Sequence, residues 1–292
     1  MIRKTWIKKG IKNPNLVLEY AKPRLFDPFL FHLMYASKKE YVMNYKNIQT
    51  KHLTTDKHSK RWFFPRYGNG RIHQPIITKM LVNSLDKDKI FVDVGAHLGY
   101  FTCIAGKICT RGKVFGFEVD KHAFNLLEKN IRYNNLSNVE IFNYGVSNKD
   151  GFVRIPKISS PDPALSIIND KKNGDYLSVK AISLDEFFKN KDKPNVVKID
   201  VEGAELLVLK GMKSLLKKAN LVLFLELHGN KLNSFNTDSE EIITFLNRLG
   251  YSVYEILNHK SNDINEKRRL KKLESQNSIK YITMCYVTKK GS

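Results

Sequence analysis

Short apolar runs alternate with amphipathic segments from Pro75 to the end of the chain. A run such as Ile90 to Val94 is almost wholly apolar, which is typical of a strand buried on both faces of a parallel sheet. The segments between such runs repeat their apolar residues at helical spacing. The pattern predicts strands at 90–94, 114–117, 139–144, 196–199, 221–227, 252–256 and 281–287, and helices at 76–85, 98–109, 121–133, 184–188, 204–209 and 239–249.

Strands that alternate with helices predict a parallel sheet covered on both faces. The seventh strand follows the sixth through a charged loop, residues 258–275, and not through a helix, so we expect it to insert antiparallel. A small hairpin is predicted near residues 151–155, and Ser183 is a candidate N-cap. The expected fold is α/β, a Rossmann-like doubly wound seven-stranded sheet formed by residues 75–292.

Residues 1–74 follow a different pattern. They carry many lysines, arginines and scattered aromatic residues without a regular alternation of elements. We predict a basic, mostly helical N-terminal extension. Its apolar segment Leu25 to Tyr35 favours a helix buried on the main domain over contact with a membrane surface.

The composition narrows the class of protein. Apolar residues make up 42% of the chain, enough for a globular core, and no run approaches the roughly 20 apolar residues that span a bilayer. The basic opening lacks the apolar region of a signal peptide, which favours a cytoplasmic protein. Cys103, Cys109 and Cys285 lack zinc or disulfide spacing and are expected to be buried thiols.

The net charge of +21 favours polyanionic partners such as nucleic acid, anionic lipid or acidic glycans. A lysine-rich proteome gives the same charge without any such partner. The charge therefore leaves nucleic-acid binding and peripheral membrane contact open, and it does not identify the reaction or the oligomeric state.

A glycine-bearing turn follows the strand at 90–94. Gly95 permits a sharp exit from the strand, and Gly99 permits close approach of the next helix and a ligand. We expect free backbone N–H groups here to face the crevice. Glu118 ends the next strand, at the distance where a ribose-binding acid belongs.

The glycine spacing and one carboxylate bear on the cofactor. The spacing is GxxxG and not the GxGxxG of dinucleotide sites, and Asp93 lies two positions before Gly95. A carboxylate suits a pyrophosphate badly, but it suits the cationic sulfonium and ammonium groups of S-adenosylmethionine. This favours S-adenosylmethionine over NAD.

A second group of polar residues follows the strands at 196–199 and 221–227. Asp200, Glu202, Glu226 and His228 are predicted to converge on one rim, since the carboxyl ends of neighbouring parallel strands meet there. They are candidate catalytic residues, as a base for methyl transfer to oxygen or nitrogen, as ligands of a divalent metal, or as structural groups. Glu205 is interpreted as a first-turn helix acid.

Five strings give the chain a resemblance to the FkbM-type methyltransferase family. They are VDVGAHLGYFT from Val92, FEVD from Phe117, SLDEF from Ser183, VKIDVEGAE from Val197 and ELH from Glu226. The resemblance implies a class I methyltransferase fold, S-adenosylmethionine as donor, and O-methylation of a sugar, lipid or small metabolite. His97 and Val119 depart from the residues frequent in the family.

By this resemblance Asp93, Gly95 and Gly99 would line the methionine end of the cofactor, and Glu118 would bind the ribose. The predicted cofactor set is Asp93, Gly95, Ala96, His97, Gly99, Glu118, Val119, Asn143, Tyr144, Gly145 and Asp200. The expected function is methylation of a glycan, glycolipid or small metabolite. A nucleic-acid methyltransferase is the alternative, although its usual motifs are absent from the sequence, and a non-catalytic binding module ranks third.

Overall fold

The computed structural model describes residues 35–67, 72–158, 162, 165, 167 and 175–291, the last range without 262, 264, 266, 275 and 277. The chain divides into two compact units, one formed by Met1–Tyr41 with Leu53–Arg71, the other by Val42–His52 with Ile72–Ser292. The predicted domain boundary after residue 74 remains a prediction.

The described residues form thirteen strands and eight α-helices. The strands are β1 (Glu40–Tyr45), β2 (Ile48–Leu53), β3 (Ile90–Val94), β4 (Lys113–Phe117), β5 (Val139–Phe142), β6 (Gly145–Val146), β7 (Gly151–Pro156), β8 (Tyr176–Ile182), β9 (Val196–Ile199), β10 (Val222–His228), β11 (Tyr251–Ile256), β12 (Leu270–Leu273) and β13 (Ile282–Lys289). The helices are α1 (Lys57–Tyr67), α2 (Pro75–Ser84), α3 (Tyr100–Ile108), α4 (Lys121–Tyr133), α5 (Leu184–Phe187), α6 (Glu205–Lys210), α7 (Lys213–Lys218) and α8 (Ser239–Arg248), and Leu232–Phe235 is a 3₁₀ turn.

The main sheet has eight strands in the order β12-β11-β13-β10-β9-β3-β4-β5. The five strands from β10 to β5 are parallel to their neighbours, and β13 lies antiparallel between β10 and β11. This confirms the Rossmann-like doubly wound sheet and its antiparallel last strand. One correction concerns the charged loop predicted at 258–275, where Leu270–Leu273 adds an eighth, antiparallel edge strand beside β11. The sequence pattern did not predict this strand because its two central residues are lysines. Exposed charged side chains are common on an edge strand but not on a strand buried in the sheet.

A second, three-stranded sheet lies between β5 and β9 in the sequence, in the order β6-β8-β7. The predicted local hairpin near residues 151–155 is wrong, since β7 pairs with β8, which begins twenty residues after β7 ends. Ser183 caps α5 as predicted, because its hydroxyl accepts a hydrogen bond from the amide of Glu186.

The described part of residues 1–74 holds strands as well as a helix, and the mostly helical character of the whole extension remains a prediction. It contains the two-stranded sheet of β1 and β2 as well as α1. Within the first unit, Tyr41 stacks on Phe63 with ring centroids 4.8 Å apart, and Tyr35 stacks on Phe64 at 4.9 Å. The apolar segment 25–34 lies outside the described residues.

The core of the second unit packs the parallel strands against α5 to α8. Its largest cluster includes Val92, Ile199, Leu225 and Phe188, each fully buried. The three cysteines are buried free thiols, as predicted. Among the described residues, no helix is both long and apolar enough to cross a membrane.

Candidate functional site

The predicted site residues lie where four neighbouring strands end. β3, β4, β9 and β10 are parallel, so their carboxyl ends share one edge of the sheet. Gly95, Glu118, Asp200 and His228 lie at or directly after these ends. The topology therefore brings together two groups of residues that the sequence separates by about a hundred positions.

The turn Gly95–Gly99 is built around its two glycines. Gly95 has a φ of +81°, and a Cβ there would lie 1.9 Å from the carbonyl oxygen of Asp200. Gly99 has a φ of +83°, and its Cβ would lie 2.4 Å from a methyl carbon of Leu127. Both positions exclude a side chain, by backbone conformation and by space.

The amides of this turn are largely used within the protein. Gly95 and Ala96 donate to the carbonyl of Phe117, and Gly99 donates to Ala96. His97, itself left-handed with a φ of 49°, donates to the Glu118 carboxylate at 2.6 Å. The expectation of free N–H groups is therefore corrected at four of the five positions. A pyrophosphate requires such donors, and this turn does not offer them at those positions.

Asp93 is buried beneath the turn and 1% exposed. Its Oδ2 accepts a hydrogen bond from the Thr102 hydroxyl at 2.7 Å, and Lys198 lies 3.9 Å from its Oδ1. Burial raises the pKa of Asp93, and the Lys198 ammonium opposes that rise. Its contacts anchor α3 and the neighbouring strand, in agreement with a turn-holding role.

Glu118 faces the turn from the end of β4. Its two carboxylate oxygens accept from the amides of His97 and Asp120. Burial raises the pKa of Glu118 to about 7. Asn143 supports the same corner, because its side-chain amide donates to the carbonyls of Glu118 and Val119.

The remaining predicted cofactor residues lie near that corner. Tyr144 is half-buried, and the Lys180 ammonium lies 4.6 Å from its ring centroid. Gly145 is buried and opens β6, and a Cβ there would lie 2.8 Å from Val153 and 3.7 Å from Val119. The structure thus brings Val119 and Gly145 into contact range.

We call Asp200, Glu202, Glu226 and His228 the acidic rim. Asp200 follows β9 with its side chain 28% exposed, and its Oδ2 accepts from Lys198 at 3.1 Å. Lys198 and His228 hold the pKa of Asp200 below its ordinary value although burial opposes them. Glu226 hydrogen-bonds to Asp200, and burial beside that carboxylate raises the pKa of Glu226 to about 8. The two carboxyl groups thus differ, since protonation is favoured at Glu226 and ionisation at Asp200.

His228 lies at the end of β10 among carboxylates. Its Nε2 is 3.3 Å from Glu202 and 3.8 Å from Asp200, and its Nδ1 is 2.8 Å from Glu205. These partners raise the pKa of His228 to about 10 against the opposing effect of burial. The carboxylates therefore favour the imidazolium form of the ring, which donates hydrogen bonds.

Glu205 has a larger role than a first-turn acid. It does stand in the first turn of α6, but it is 0% exposed. Its Oε1 accepts from the Gly203 amide at 2.9 Å and contacts His228 Nδ1. Its Oε2 has no hydrogen-bond partner among the described residues. Glu205 fixes the ring of His228 so that Nε2 faces the rim.

The geometry of a metal site is present in the rim. Asp200, Glu202 and His228 offer ligand atoms that all lie within 4.8 Å of one another. Each of these residues also has a partner of opposite charge, since Lys198 pairs with Asp200, and Lys231 lies 2.6 Å from Glu202. The negative charges of Asp200 and Glu202 are thus balanced by neighbouring lysines, and charge balance in the rim does not require a metal ion.

Sequence reasoning missed two residues of the site. Lys198 is 3% exposed and links Asp93 to Asp200 across adjacent strands. Lys198 could have been found from the sequence, since it is a lysine inside an otherwise apolar strand. A buried ammonium group needs a carboxylate nearby, so such a lysine predicts an ion pair. Glu205 carried the weaker signal, since first-turn acids are common on exposed helices.

Known proteins share this part of the chain. Residues 93–253 match the family model of the methyltransferase FkbM domain. The hexuronic acid methyltransferase AglP of Haloferax volcanii is 33% identical over 156 residues, which cover 52% of this chain and 62% of that protein. Methyltransferase 1 of Beauveria bassiana is 24% identical over 146 residues, covering 43% of this chain and 59% of its own length.

The chain thus spans about three fifths of the length of these relatives. A crystal structure of methyltransferase FkbM from Methylobacillus flagellatus is 16% identical with a TM-score of 0.43, covering 77% of this chain and 46% of that one. The family match spans more than half of the chain and includes both the glycine turn and the acidic rim. The chain therefore belongs to the methyltransferase FkbM domain family.

Proposed function

We propose that this protein transfers a methyl group from S-adenosylmethionine to a hydroxyl of a glycan, glycolipid or small metabolite. The observation that carries the choice of cofactor is the internal use of the turn amides at Gly95, Ala96, His97 and Gly99. A dinucleotide needs those donors for its pyrophosphate, whereas S-adenosylmethionine presents no phosphate. Family membership supports the same choice.

The cofactor is proposed to lie across the ends of β3, β4 and β9. Glu118 accepts the ribose hydroxyls, since each carboxylate oxygen keeps acceptor capacity beyond its one amide bond. Asn143, Tyr144 and Gly145 border the adenine. Asp93 acts from below by holding the turn, because its burial keeps it from the solvent side of the site.

S-adenosylmethionine supplies an electrophilic methyl group and leaves as the neutral thioether. Asp200 is the proposed base, because it is ionised and is the most exposed of the three rim side chains that contact one another. As the new oxygen–methyl bond forms and the sulfur–methyl bond breaks, the Asp200 carboxylate takes the hydroxyl proton. Lys198 keeps that carboxylate ionised beforehand.

The other rim residues orient the acceptor. The His228 imidazolium directs a donor towards Glu202 and Asp200, and Glu205 holds its ring. Protonated Glu226 donates to Asp200 and fixes the carboxylate plane. In this proposal a divalent metal is not needed to position the hydroxyl.

The substrate class is proposed from the relative whose name states it. AglP is a hexuronic acid methyltransferase, and it is 33% identical to this chain over 156 residues. A sugar that bears a carboxylate also agrees with the net charge of +21. RNA agrees with the charge as well, so it belongs in the test.

The first experiment is calorimetric titration with S-adenosylhomocysteine and, separately, with NAD. We expect micromolar binding of S-adenosylhomocysteine, a loss of at least about tenfold in affinity for Glu118→Gln, and no change for Glu128→Gln, an exposed glutamate of α4. Binding of NAD without binding of S-adenosylhomocysteine would overturn the proposal.

The acceptor is tested by transfer of a radiolabelled methyl group. Equal concentrations of a glucuronate-containing oligosaccharide, a neutral oligosaccharide and a single-stranded RNA are compared. Label on the acidic oligosaccharide alone supports the proposed substrate class. Label on the RNA, lost steeply as salt is raised, supports the nucleic-acid alternative instead.

A further inference from the structure

A groove of about 500 Å³ opens at the same edge of the sheet as the acidic rim. Its walls come from the start of β13 and from the segment Leu257–Ser261 that follows β11, with Arg269 and Tyr281 at the sides. Ile282 of this groove pairs directly with His228 across β10 and β13. A groove of this size suits a small molecule or a short oligomer.

The groove lies within reach of an acceptor that is methylated at the rim. Asp200 follows β9, and β10 lies between β9 and β13, whose start lines the groove, so β9 and β13 are about 10 Å apart at the usual strand spacing. Two linked sugar rings bridge such a distance. The groove is therefore within reach of the next ring of an acceptor whose hydroxyl lies at Asp200.

Cations dominate the chemistry of the groove. Lys260 and Arg269 line it and are exposed, against one acidic lining residue, Glu255. The adjoining segment 267–272 reads Lys-Arg-Arg-Leu-Lys-Lys and adds positive charge beside the groove. A guanidinium carries five N–H donors in a planar fork, a geometry that matches a carboxylate.

Two further residues favour a sugar over a simple anion. Tyr281 exposes 76% of its surface at the groove, a large aromatic face on which a sugar ring can pack. His259 donates from Nδ1 to the carbonyl of Ile256 at 2.9 Å, and burial lowers the pKa of its ring. The neutral ring therefore leaves Nε2 as a hydrogen-bond acceptor, buried in the groove wall without a partner among the described residues. A hydroxyl that seats deeply at this wall would satisfy it.

We propose that this groove binds a carboxylate-bearing sugar unit of the acceptor, with Arg269 and Lys260 on the carboxylate and Tyr281 against the ring. The inference rests on the proposed glycan methylation. It adds the place on the fold where an acidic acceptor is distinguished from a neutral one.

The test uses two disaccharides that differ by one group. Cellobiouronic acid carries a carboxylate where cellobiose carries a hydroxymethyl group. Their affinities for the full chain are measured by ligand-observed NMR, with and without saturating S-adenosylhomocysteine. We expect cellobiouronic acid to bind at least about tenfold more tightly, as for one charge-assisted hydrogen-bonded pair.

The matched variants are Arg269→Gln and Arg268→Gln. Both remove one exposed arginine charge, but only Arg269 lines the groove. Arg269→Gln is expected to abolish most of the preference for the acid, and Arg268→Gln to retain it. Tyr281→Ala should weaken both disaccharides by a similar factor, because ring packing does not depend on the carboxylate.

Equal binding of the two disaccharides, no binding of either, or equal losses in the two arginine variants would overturn the assignment. Displacement of cellobiouronic acid by an equal concentration of inorganic phosphate would also overturn it, by indicating an unselective anion site. The proposed function fails separately. If S-adenosylhomocysteine does not bind but the protein still prefers cellobiouronic acid through Arg269, the assignment of the groove is supported and the methyltransferase proposal is overturned.

Discussion

The glycine turn and the acidic rim share one sheet edge but are built in opposite ways. The turn is made of backbone, because Gly95 and Gly99 leave no room for a side chain and their amides bond within the protein. The rim is made of side chains, because Asp200, Glu202 and His228 depend on one another for charge and position.

This difference separates two kinds of constraint. At the turn, a methyl group added to Gly95 would overlap the carbonyl oxygen of Asp200, so the available space requires glycine at this position. At the rim, volume matters less than ionisation, since burial and Asp200 raise the pKa of Glu226, and neighbouring carboxylates raise that of His228. Mutations at the turn should therefore act on folding, and mutations at the rim on catalysis.

The largest expected effect is that of Gly95→Ala. The new Cβ would lie 1.9 Å from the Asp200 carbonyl oxygen, so strands β3 and β9 must separate. We expect a loss of at least about 4 kcal/mol in the free energy of unfolding, or failure to fold. Gly151→Ala is the control, because its φ is +147° but its Cβ meets nothing within 4 Å, and it should cost about 1 kcal/mol. Equal costs in urea unfolding would mean that steric contact does not select the glycine.

Asp200→Asn should show the opposite behaviour. Loss of the proposed base is expected to lower kcat by about 10²- to 10⁴-fold while the fold is retained. The value of kcat is measured from the transfer of a radiolabelled methyl group over time, and circular dichroism checks that the variant is folded. Asp192→Asn, an exposed aspartate elsewhere, should leave the rate unchanged. A full rate in Asp200→Asn would assign Asp200 to positioning only.

Glu205→Gln tests whether this residue acts through His228. Without the carboxylate at Nδ1, the pKa of His228 should fall from about 10, and unfolding should become easier by about 1–3 kcal/mol. Nitrogen NMR of the imidazole follows the titration directly. Glu240→Gln is the matched control, because Glu240 is an exposed first-turn acid of α8. If both variants behave alike, the helix-dipole interpretation of Glu205 suffices.

The smallest effect is a pH dependence at the turn. Burial raises the pKa of Glu118 to about 7, and only its ionised form accepts two ribose hydroxyls. The affinity for S-adenosylhomocysteine should therefore increase as pH rises, by about tenfold between pH 6 and pH 8, and then level off. Calorimetry at both pH values measures this change. The dependence should vanish in Glu118→Gln, and its persistence there would point to another group.

The sequence by itself determined most strands and helices of the main sheet in the second unit, and it predicted where the site lies. Buried parallel strands such as β3 and β10 are continuous apolar runs, which local pattern reveals. The turn at Gly95 and the rim at Asp200 follow from residues that stand directly after such strands. These features depend on neighbours in the chain, so a single sequence carries them.

Only the tertiary structure decided which side chains meet. Lys198 links Asp93 to Asp200, Glu205 holds His228, and Ile282 brings the groove beside the rim. The sequence did not predict the edge strand β12 or the pairing of β7 with β8 for a similar reason. Each depends on a partner far away in the chain. Charge compensation and strand pairing are properties of contacts, and the order of residues does not contain those contacts until the chain has folded.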